Sequence, residues 1–206
     1  YQSDAQYNRH SEQILPFVDT VLKESGLTLK DIDAIAFGAG PGAFTGLRVA
    51  CGVAQGLGWA SEKPLVAVSN LEAAAIKRAF TGRILVALDA RMKECYVAAY
   101  EVTGGCLSKS LSEPVVAKPE DLGALCEKFE INAVSGDAFK RYADRIDLTD
   151  RVQVLEKTPA TALEIAFLAQ SMAQEGKTVT ALNAAPIYVR NRVALTIDER
   201  AQGVKL

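Results

Sequence analysis

Histidine is almost absent from this chain, because His10 is the one histidine among 206 residues. Zinc hydrolases and Ser-His-Asp enzymes need a histidine together with further ligands or a nucleophile. His10 is followed by Ser11, but no third group in the neighbouring sequence is placed to orient such a pair. The single histidine therefore argues against both classes of enzyme, and we predict no catalytic residue and no metal site.

Cysteine is also scarce, and the four cysteines have irregular spacings with no Cys-x-x-Cys pair. Each lies in an apolar or mixed stretch, which is typical of buried free thiols in a reducing compartment. No apolar run approaches the roughly 18 residues that a membrane span requires. We therefore expect a cytoplasmic protein that has no membrane partner.

The chain has little net charge, because 23 Lys and Arg residues stand against 25 Asp and Glu residues and leave a formal charge of −2. A protein that coats nucleic acid usually has a strongly basic face. Direct binding of nucleic acid is therefore not expected, whereas binding to a partner that holds nucleic acid is compatible with this charge. Apolar residues are abundant at 49% of the chain, enough to form one large core or two smaller ones.

The hydropathy pattern predicts two related halves. Residues 8–80 are predicted as α-β-α-β-α, with the last helix at 70–80. Residues 83–175 are predicted as β-β-β-α-β-α-β-α, with strands at 83–89 and 106–116, a helix at 137–145 and a last helix capped by Thr158 or Thr161. Residues 184–190 are predicted to be extended. The first half thus equals the second without its three opening strands, and internal repeats are a strong indication of fold. Two copies of the β-β-β-α-β-α-β-α unit are typical of the duplicated actin-like, ribonuclease-H-like α/β fold. We expect a first subdomain at residues 1–80, a second at 81–190 and a C-terminal tail at 191–206.

The same alignment of the two halves predicts that the opening three-strand meander of the first half is truncated. By analogy with residues 83–116, about 30 residues are expected to be absent before Tyr1. The alternative is a native α/β domain followed by an α+β domain.

A glycine-rich loop joins the predicted strand at residues 33–38 to a predicted helix at 44–60. Such loops can bind anions through their open N–H groups, although this one is neither a Walker loop nor a dinucleotide-binding fingerprint. The weak phosphate-binding candidates are Gly40, Gly42, Thr45, Gly46 and Arg48. The alternative is a tight turn whose glycines let the helix approach its strand closely.

Two ridges of small residues run along the helix that follows this loop. They are Ala50, Ala54 and Gly58 on the first ridge and Gly52, Gly56 and Ala60 on the second. Residues 50 and 52 differ by about 200° around a helix, so the ridges lie on nearly opposite faces. Each interior glycine costs about 1 kcal/mol relative to alanine. We therefore expect one ridge to contact the protein's own sheet and the other to contact a second helix, from this chain or from a partner.

An amphipathic helix is predicted at residues 8–25, with an apolar stripe formed by Ile14, Val18, Val21 and Leu22. Pro16 fits this helix only in or near its first turn, or at a kink. Further along, residues 89–94 combine two acids and two bases at a predicted hairpin turn. Asp89 is there either a metal ligand or a hydrogen-bonded turn aspartate.

Several motifs together resemble the TsaB (YeaZ) family. Residues 40–48, with the sequence GPGAFTGLR, and the small-residue helix after them resemble the family's signature. Residues 8–16, 68–70, 88–94 and 186–190 also match its pattern in the same order. The resemblance covers nearly the whole chain, but the family's opening strand with its Asp-Thr-Ser/Ala motif is not found.

The resemblance implies a non-catalytic role without a cofactor. Family members bind a TsaD-type transferase, which forms N6-threonylcarbamoyladenosine at position 37 of tRNAs that read codons beginning with A. Family members associate with a TsaE-type ATPase through this complex, and they contact tRNA only indirectly. They also form homodimers. The implied partner interface lies on the first helix and the small-residue helix, at Ile14, Val18, Val21, Leu22, Ala50, Ala54, Gly56 and Gly58.

Two other functions remain open at this stage. The first is an actin-like ATP-dependent kinase or transferase that uses residues 40–46 for phosphate. The second is a glycoprotease-like metallopeptidase, against which the single histidine argues.

Overall fold

The computed structural model describes residues 10–156 and 159–190. Its helices are α1 (His10–Ser25), α2 (Phe44–Ser61), α3 (Asn70–Ala75), α4 (Leu122–Lys128), α5 (Ala138–Arg141) and α6 (Ala162–Gln174). Its strands are β1 (Ile35–Gly40), β2 (Leu65–Ser69), β3 (Gly82–Asp89), β4 (Cys95–Thr103), β5 (Cys106–Ser110), β6 (Val115–Ala117), β7 (Ala133–Ser135) and β8 (Gln153–Glu156). The predicted order of helices and strands is confirmed over this part of the chain. The predicted helix start at residues 8 and 9, the alternative cap Thr158 and the tail at 191–206 lie outside it.

The strands form two sheets. In the first, β1 and β2 run parallel. In the second sheet, the strands lie in the order β5-β4-β3-β7-β8, and β6 also pairs with β4. The β3–β4 pair is antiparallel and the β3–β7 and β7–β8 pairs are parallel. The predicted single strand over residues 106–116 is wrong, because it is divided into β5 and β6. Pro114 precedes β6 and has no N–H to donate, so a continuous ladder is interrupted there.

Two predicted helices are shorter in the structure. α3 ends at Ala75 rather than at residue 80. The Phe80 carbonyl instead accepts a hydrogen bond from the Gly105 N–H, and the Phe80 ring packs on the core. The helix predicted over 137–145 is divided into α5 and a single 3₁₀ turn. At Phe80 a tertiary contact competes successfully with local helix propensity.

α6 joins the two halves, because it lies on the first sheet although it follows β8 of the second. Ile165 and Ala169 are buried against Val66 and Val68 of β2. A backbone bridge between Leu65 and Val179 then fixes the chain after α6 to the start of β2. The predicted subdomain boundaries at residues 80 and 190 stay predictions.

β1 has an edge that no strand covers within the described residues. The Ile35 N–H donates to the Pro64 carbonyl on the β2 side, so the backbone groups of Ala36 and Gly38 point the other way. That edge opens onto a cleft of about 1410 Å³, whose apolar walls come from α1, α2 and α6. In the second sheet β3 covers the corresponding edge of β7.

The rate of backbone amide hydrogen exchange should alternate from residue to residue along β1. The Ala36 and Gly38 amides should exchange at least about 100-fold faster than those of Ile35 and Phe37, because only the latter pair faces β2. β7 is the control, since it is paired on both sides and its neighbouring amides should be protected alike. Equal protection at all four β1 positions, measured by NMR-detected exchange, would show that the edge is covered.

Candidate functional site

The glycine-rich loop between β1 and α2 is held by backbone contacts. Gly40 has φ +127°, and a Cβ there would lie 2.6 Å from the Ile187 carbonyl oxygen, so this position requires glycine. The Pro41 carbonyl accepts a hydrogen bond from Asn70 Nδ2 at 3.1 Å. A Cβ on Gly42 would lie 3.4 Å from that same nitrogen. These contacts favour the interpretation of the loop as a tight turn.

Arg48 is engaged within the protein. Its guanidinium lies over the Phe44 ring at 3.7 Å from the centroid, and its Nε donates to the Tyr188 hydroxyl at 3.3 Å. Thr45 and Gly46 are exposed on different sides of the same helix. The structure therefore does not gather the five phosphate candidates around one pocket.

The chain from Ala184 to Arg190 crosses both halves of the protein, and we call it the strap. It is extended as predicted, but it forms no regular strand. The Ile187 N–H donates to the Ala39 carbonyl at 2.7 Å, at the end of β1. At its far end Arg190 forms an ion pair with Glu94 and donates to Met92 Sδ at 2.9 Å. The strap thus joins the first sheet to the β3–β4 turn.

Asp89, at the end of β3, is surrounded by donors. Its carboxylate accepts from the Tyr142 hydroxyl at 2.7 Å and from the Arg91 N–H at 3.0 Å. The same carboxylate pairs with Arg141 at 3.2 Å and with the Arg91 side chain at 3.4 Å, and only 8% of the Asp89 side chain is exposed. Burial, together with the hydrogen bond to Asp89, raises the pKa of Tyr142. This arrangement favours the turn aspartate over the metal ligand.

The turn that Asp89 holds has an unusual backbone. Arg91, Met92 and Lys93 all have φ between +52° and +61°, a region that costs roughly 1–2 kcal/mol for each non-glycine residue. The contacts of Asp89 and Arg190 offset this cost by fixing both sides of the turn. Across residues 10–156 and 159–190, no three His, Cys, Asp or Glu side chains are grouped to hold a metal ion.

A cleft of about 440 Å³ lies between the two halves, where the loop, the turn and the strap meet. Four segments that carry the sequence resemblance border it, although they are far apart along the chain: residues 40–48, 68–70, 88–94 and 186–190. The contacts of Asn70, Tyr142 and Tyr188 were not predicted. Asn70 and Tyr188 lie in residues 68–70 and 186–190, whose resemblance to the family marked them as candidates. Nothing in the sequence indicated a role for Tyr142.

The two ridges of α2 face opposite sides, as predicted. Ala54 and Gly58 are buried on the sheet, where a Cβ on Gly58 would lie 2.6 Å from Leu65 Cδ2. Gly52 and Gly56 are exposed, and a Cβ on either would meet nothing within 4 Å. The implied interface is therefore corrected at Ala54 and Gly58, because the protein's own sheet covers them.

The remaining residues of the implied interface flank this helix. Ile14, Val18 and Ala50 line the large cleft beside β1. Leu22 is half-buried and Val21 is 40% exposed. Pro16 lies in the second turn of α1, and its carbonyl accepts from Thr20 Oγ1 at 2.9 Å. α1 thus keeps much of its apolar stripe uncovered.

A family model and curated relatives both match most of this chain. A family model described as TsaD: tRNA N6-adenosine threonylcarbamoyltransferase matches residues 5–199. The tRNA threonylcarbamoyladenosine biosynthesis protein TsaB of Escherichia coli (strain K12) is 36% identical over 194 residues, which are 90% of this chain and 82% of that protein. The protein of the same name from Haemophilus influenzae is 34% identical and covers 89% and 81% of the two chains.

Solved structures give the same picture. YeaZ from Pseudomonas aeruginosa superposes with a TM-score of 0.78 at 33% identity, over 88% of this chain and 84% of that one. A second crystal structure from that organism, described as an uncharacterized protein with similarity to peptidase YEAZ, gives the same values. The predicted actin-like α/β fold is thereby confirmed. None of the helices in the described residues is long and apolar enough to cross a membrane.

Proposed function

Since this chain belongs to the TsaB family of tRNA threonylcarbamoyladenosine biosynthesis proteins, we propose that it is the non-catalytic partner of a TsaD-type transferase. It supports formation of N6-threonylcarbamoyladenosine at position 37 of tRNAs that read codons beginning with A. A TsaE-type ATPase joins the complex, tRNA is contacted only indirectly, and the protein acts in the cytoplasm.

The outer side of α2 is the observation that carries this proposal. Gly52 and Gly56 each cost about 1 kcal/mol in a helix, and no contact inside the described protein explains them. A partner helix can approach a glycine surface closely, where dispersion contacts are dense. We call this surface, with the exposed parts of Val21 and Leu22 on α1, the docking face.

The rest of the site also supports a binding role. The four glycines of α2 divide into two groups. Gly58 packs closely on the protein's own sheet, whereas Gly46, Gly52 and Gly56 have no close internal contact. Asp89 and Arg48, the two charged residues best placed for chemistry, are already paired with protein groups. Among the described residues, these pairings support a role for α2 as a docking surface over a role for Asp89 or Arg48 in catalysis.

One docking face implies competition. A second copy that meets this face by two-fold symmetry forms an isologous homodimer. A TsaD-type partner that needs the same face cannot bind at the same time. Raising the transferase concentration should therefore dissociate the homodimer, with one heterodimer gained for each protomer released.

Reconstitution tests the proposed function. TsaD-type and TsaE-type proteins from the same organism, with a threonylcarbamoyl donor and tRNA, should form the modified nucleoside only when this chain is added, as measured by mass spectrometry of digested tRNA. The chain alone should neither hydrolyse ATP nor cleave peptides. Turnover by the pure protein would instead favour the kinase or the peptidase.

A further inference from the structure

The strap is attached to the first half along its length and to the second half at its end. The Ile187 N–H donates to the Ala39 carbonyl at 2.7 Å, and the Tyr188 hydroxyl accepts from Arg48 Nε at 3.3 Å. At the end of the strap, the Arg190 side chain contacts the β3–β4 turn. The strap therefore extends from the first half as an arm along the cleft of about 440 Å³ between the halves.

Arg190 joins the strap to the turn through one side chain. That side chain is only 12% exposed, and it pairs with Glu94 and donates to Met92 Sδ at 2.9 Å. A charge pair from which water is largely excluded is screened little by salt, and removing one partner leaves the other charge poorly solvated. Arg190 therefore has the properties of a latch, which is either fully engaged or released.

The turn that Arg190 holds is strained. Arg91, Met92 and Lys93 all have a left-handed backbone, and such conformations persist only where surrounding contacts enforce them. Once Arg190 leaves Met92 and Glu94, the turn loses contacts that offset this strain. Release of the latch and relaxation of the turn therefore favour each other, which makes them one two-state element.

α3 also joins the two halves, but through buried contacts. Ala74 and Ala75 belong to the core cluster that includes β3 and β4, and the buried Ser135 Oγ donates to the Ala74 carbonyl at 2.9 Å. On the strap, by contrast, Ile187 and Tyr188 are 38% and 48% exposed. Local opening begins where buried contacts are few. The strap should therefore open while α3 keeps the halves together.

Arg48 connects this element to α2. It precedes Gly52 and Gly56 by about one and two helical turns, so the three lie on one row of the helix. A helix that docks on the exposed glycines comes to lie beside Arg48. Because Arg48 Nε donates to the Tyr188 hydroxyl, a shift of Arg48 also displaces the strap two residues before Arg190.

We infer that the strap and the β3–β4 turn open and close as one unit, with Arg190 as the latch and Arg48 as the connection to α2. This device goes beyond the proposed function, because it belongs to the free chain. Only the step from a docked transferase to Arg48 rests on the proposed function, and that step has a separate test.

Nuclear magnetic resonance tests the latch in the free chain. Glu94→Gln removes the anion that pairs with Arg190. The Ile187 amide, on the first half, should then exchange about 10-fold faster, and the Met92 methyl signal should move toward that of a freely rotating methionine. Met172, the other methionine of the chain, lies on α6, and its signal should stay in place. A change at Met92 with unaltered protection of Ile187 overturns the inference, because the ion pair then serves the turn alone.

Two further variants control for the loss of charge. Glu120→Gln removes an ion pair with Arg145 in the same half and should leave the Ile187 exchange rate unchanged. The double variant Arg190→Glu with Glu94→Arg restores the pair with reversed sign, and should return that rate to within about threefold of the wild-type value. A folded double variant that exchanges as fast as Glu94→Gln would show that this pair is not the latch.

Arg48→Ala tests the connection to α2. The Glu94 N–H donates to the Arg91 carbonyl within the turn, and its exchange should become about threefold faster or more when Arg48 no longer holds Tyr188. Ser61→Ala is the control on the same helix, because the Ser61 hydroxyl donates to a carbonyl within α2. An unchanged Glu94 rate in Arg48→Ala would overturn the connection.

The transferase tests the last step. Saturating TsaD-type protein should shift the Met92 methyl signal of the wild-type chain, because the docked helix lies beside Arg48. Binding that leaves the Met92 signal unchanged overturns this step while the proposed function stands. A transferase that does not bind contradicts the proposed function, whereas the latch is still decided by the variants of the free chain.

Discussion

Gly56→Leu should weaken binding to the TsaD-type transferase and to a second copy by about 30-fold or more. The leucine side chain projects from the docking face and holds an approaching helix away from the backbone. The same variant should unfold at a higher urea concentration, because leucine in a helix is favoured over glycine by about 1 kcal/mol and nothing lies within 4 Å of its Cβ. Pull-down, light scattering and urea unfolding measure the three effects.

Gly58→Leu is the matched control on the other ridge of the same helix. Its Cβ would lie 2.6 Å from Leu65 Cδ2 and 3.1 Å from the Lys63 carbonyl, so the sheet and helix must separate. We expect a loss of about 1–3 kcal/mol or more in the free energy of unfolding. A folded Gly56→Leu chain that still binds both partners normally would place the docking face elsewhere.

Asp89→Ala should lower the free energy of unfolding by about 3 kcal/mol. The substitution removes the acceptor for the Tyr142 hydroxyl and the Arg91 N–H, and the anion that pairs with two arginines. The carboxylate is buried but both arginine side chains are more than half exposed, so most of this loss comes from the two hydrogen bonds to the carboxylate, which contribute about 1–2 kcal/mol each. Urea unfolding followed by circular dichroism measures the loss.

Two further measurements separate the roles of Asp89. Asp89→Asn keeps an acceptor oxygen but no charge, and should be intermediate in stability, whereas Tyr142→Phe removes one hydrogen bond and should cost about 1 kcal/mol. A chelator should not change the stability of the wild-type chain if Asp89 is a turn aspartate. Stability that falls on chelation would restore the metal interpretation.

Local patterns determined the elements whose stability depends on their own residues. The apolar run over residues 83–89 predicts a strand, and β3 begins one residue earlier and ends at Asp89. α2 was predicted from residue 44, because Pro41 and Gly42 mark a turn before an alanine- and glycine-rich run, and it begins at Phe44. Thr161 caps α6 with Glu164, as one of the two predicted alternatives.

Tertiary structure decided what depends on partners distant in sequence. Helical periodicity predicts that the ridges of Gly56 and Gly58 lie on different faces of α2. Only the contact between Gly58 and Leu65 shows which ridge faces the sheet. The Asp89 network likewise needs Tyr142, 53 residues away, which no local spacing indicates. The sequence by itself therefore determined the family, the order of elements and the existence of two opposed ridges. The structure alone oriented those ridges and brought the loop, turn and strap together, because rotation and assembly are set by long-range packing and hydrogen bonds rather than by local propensity.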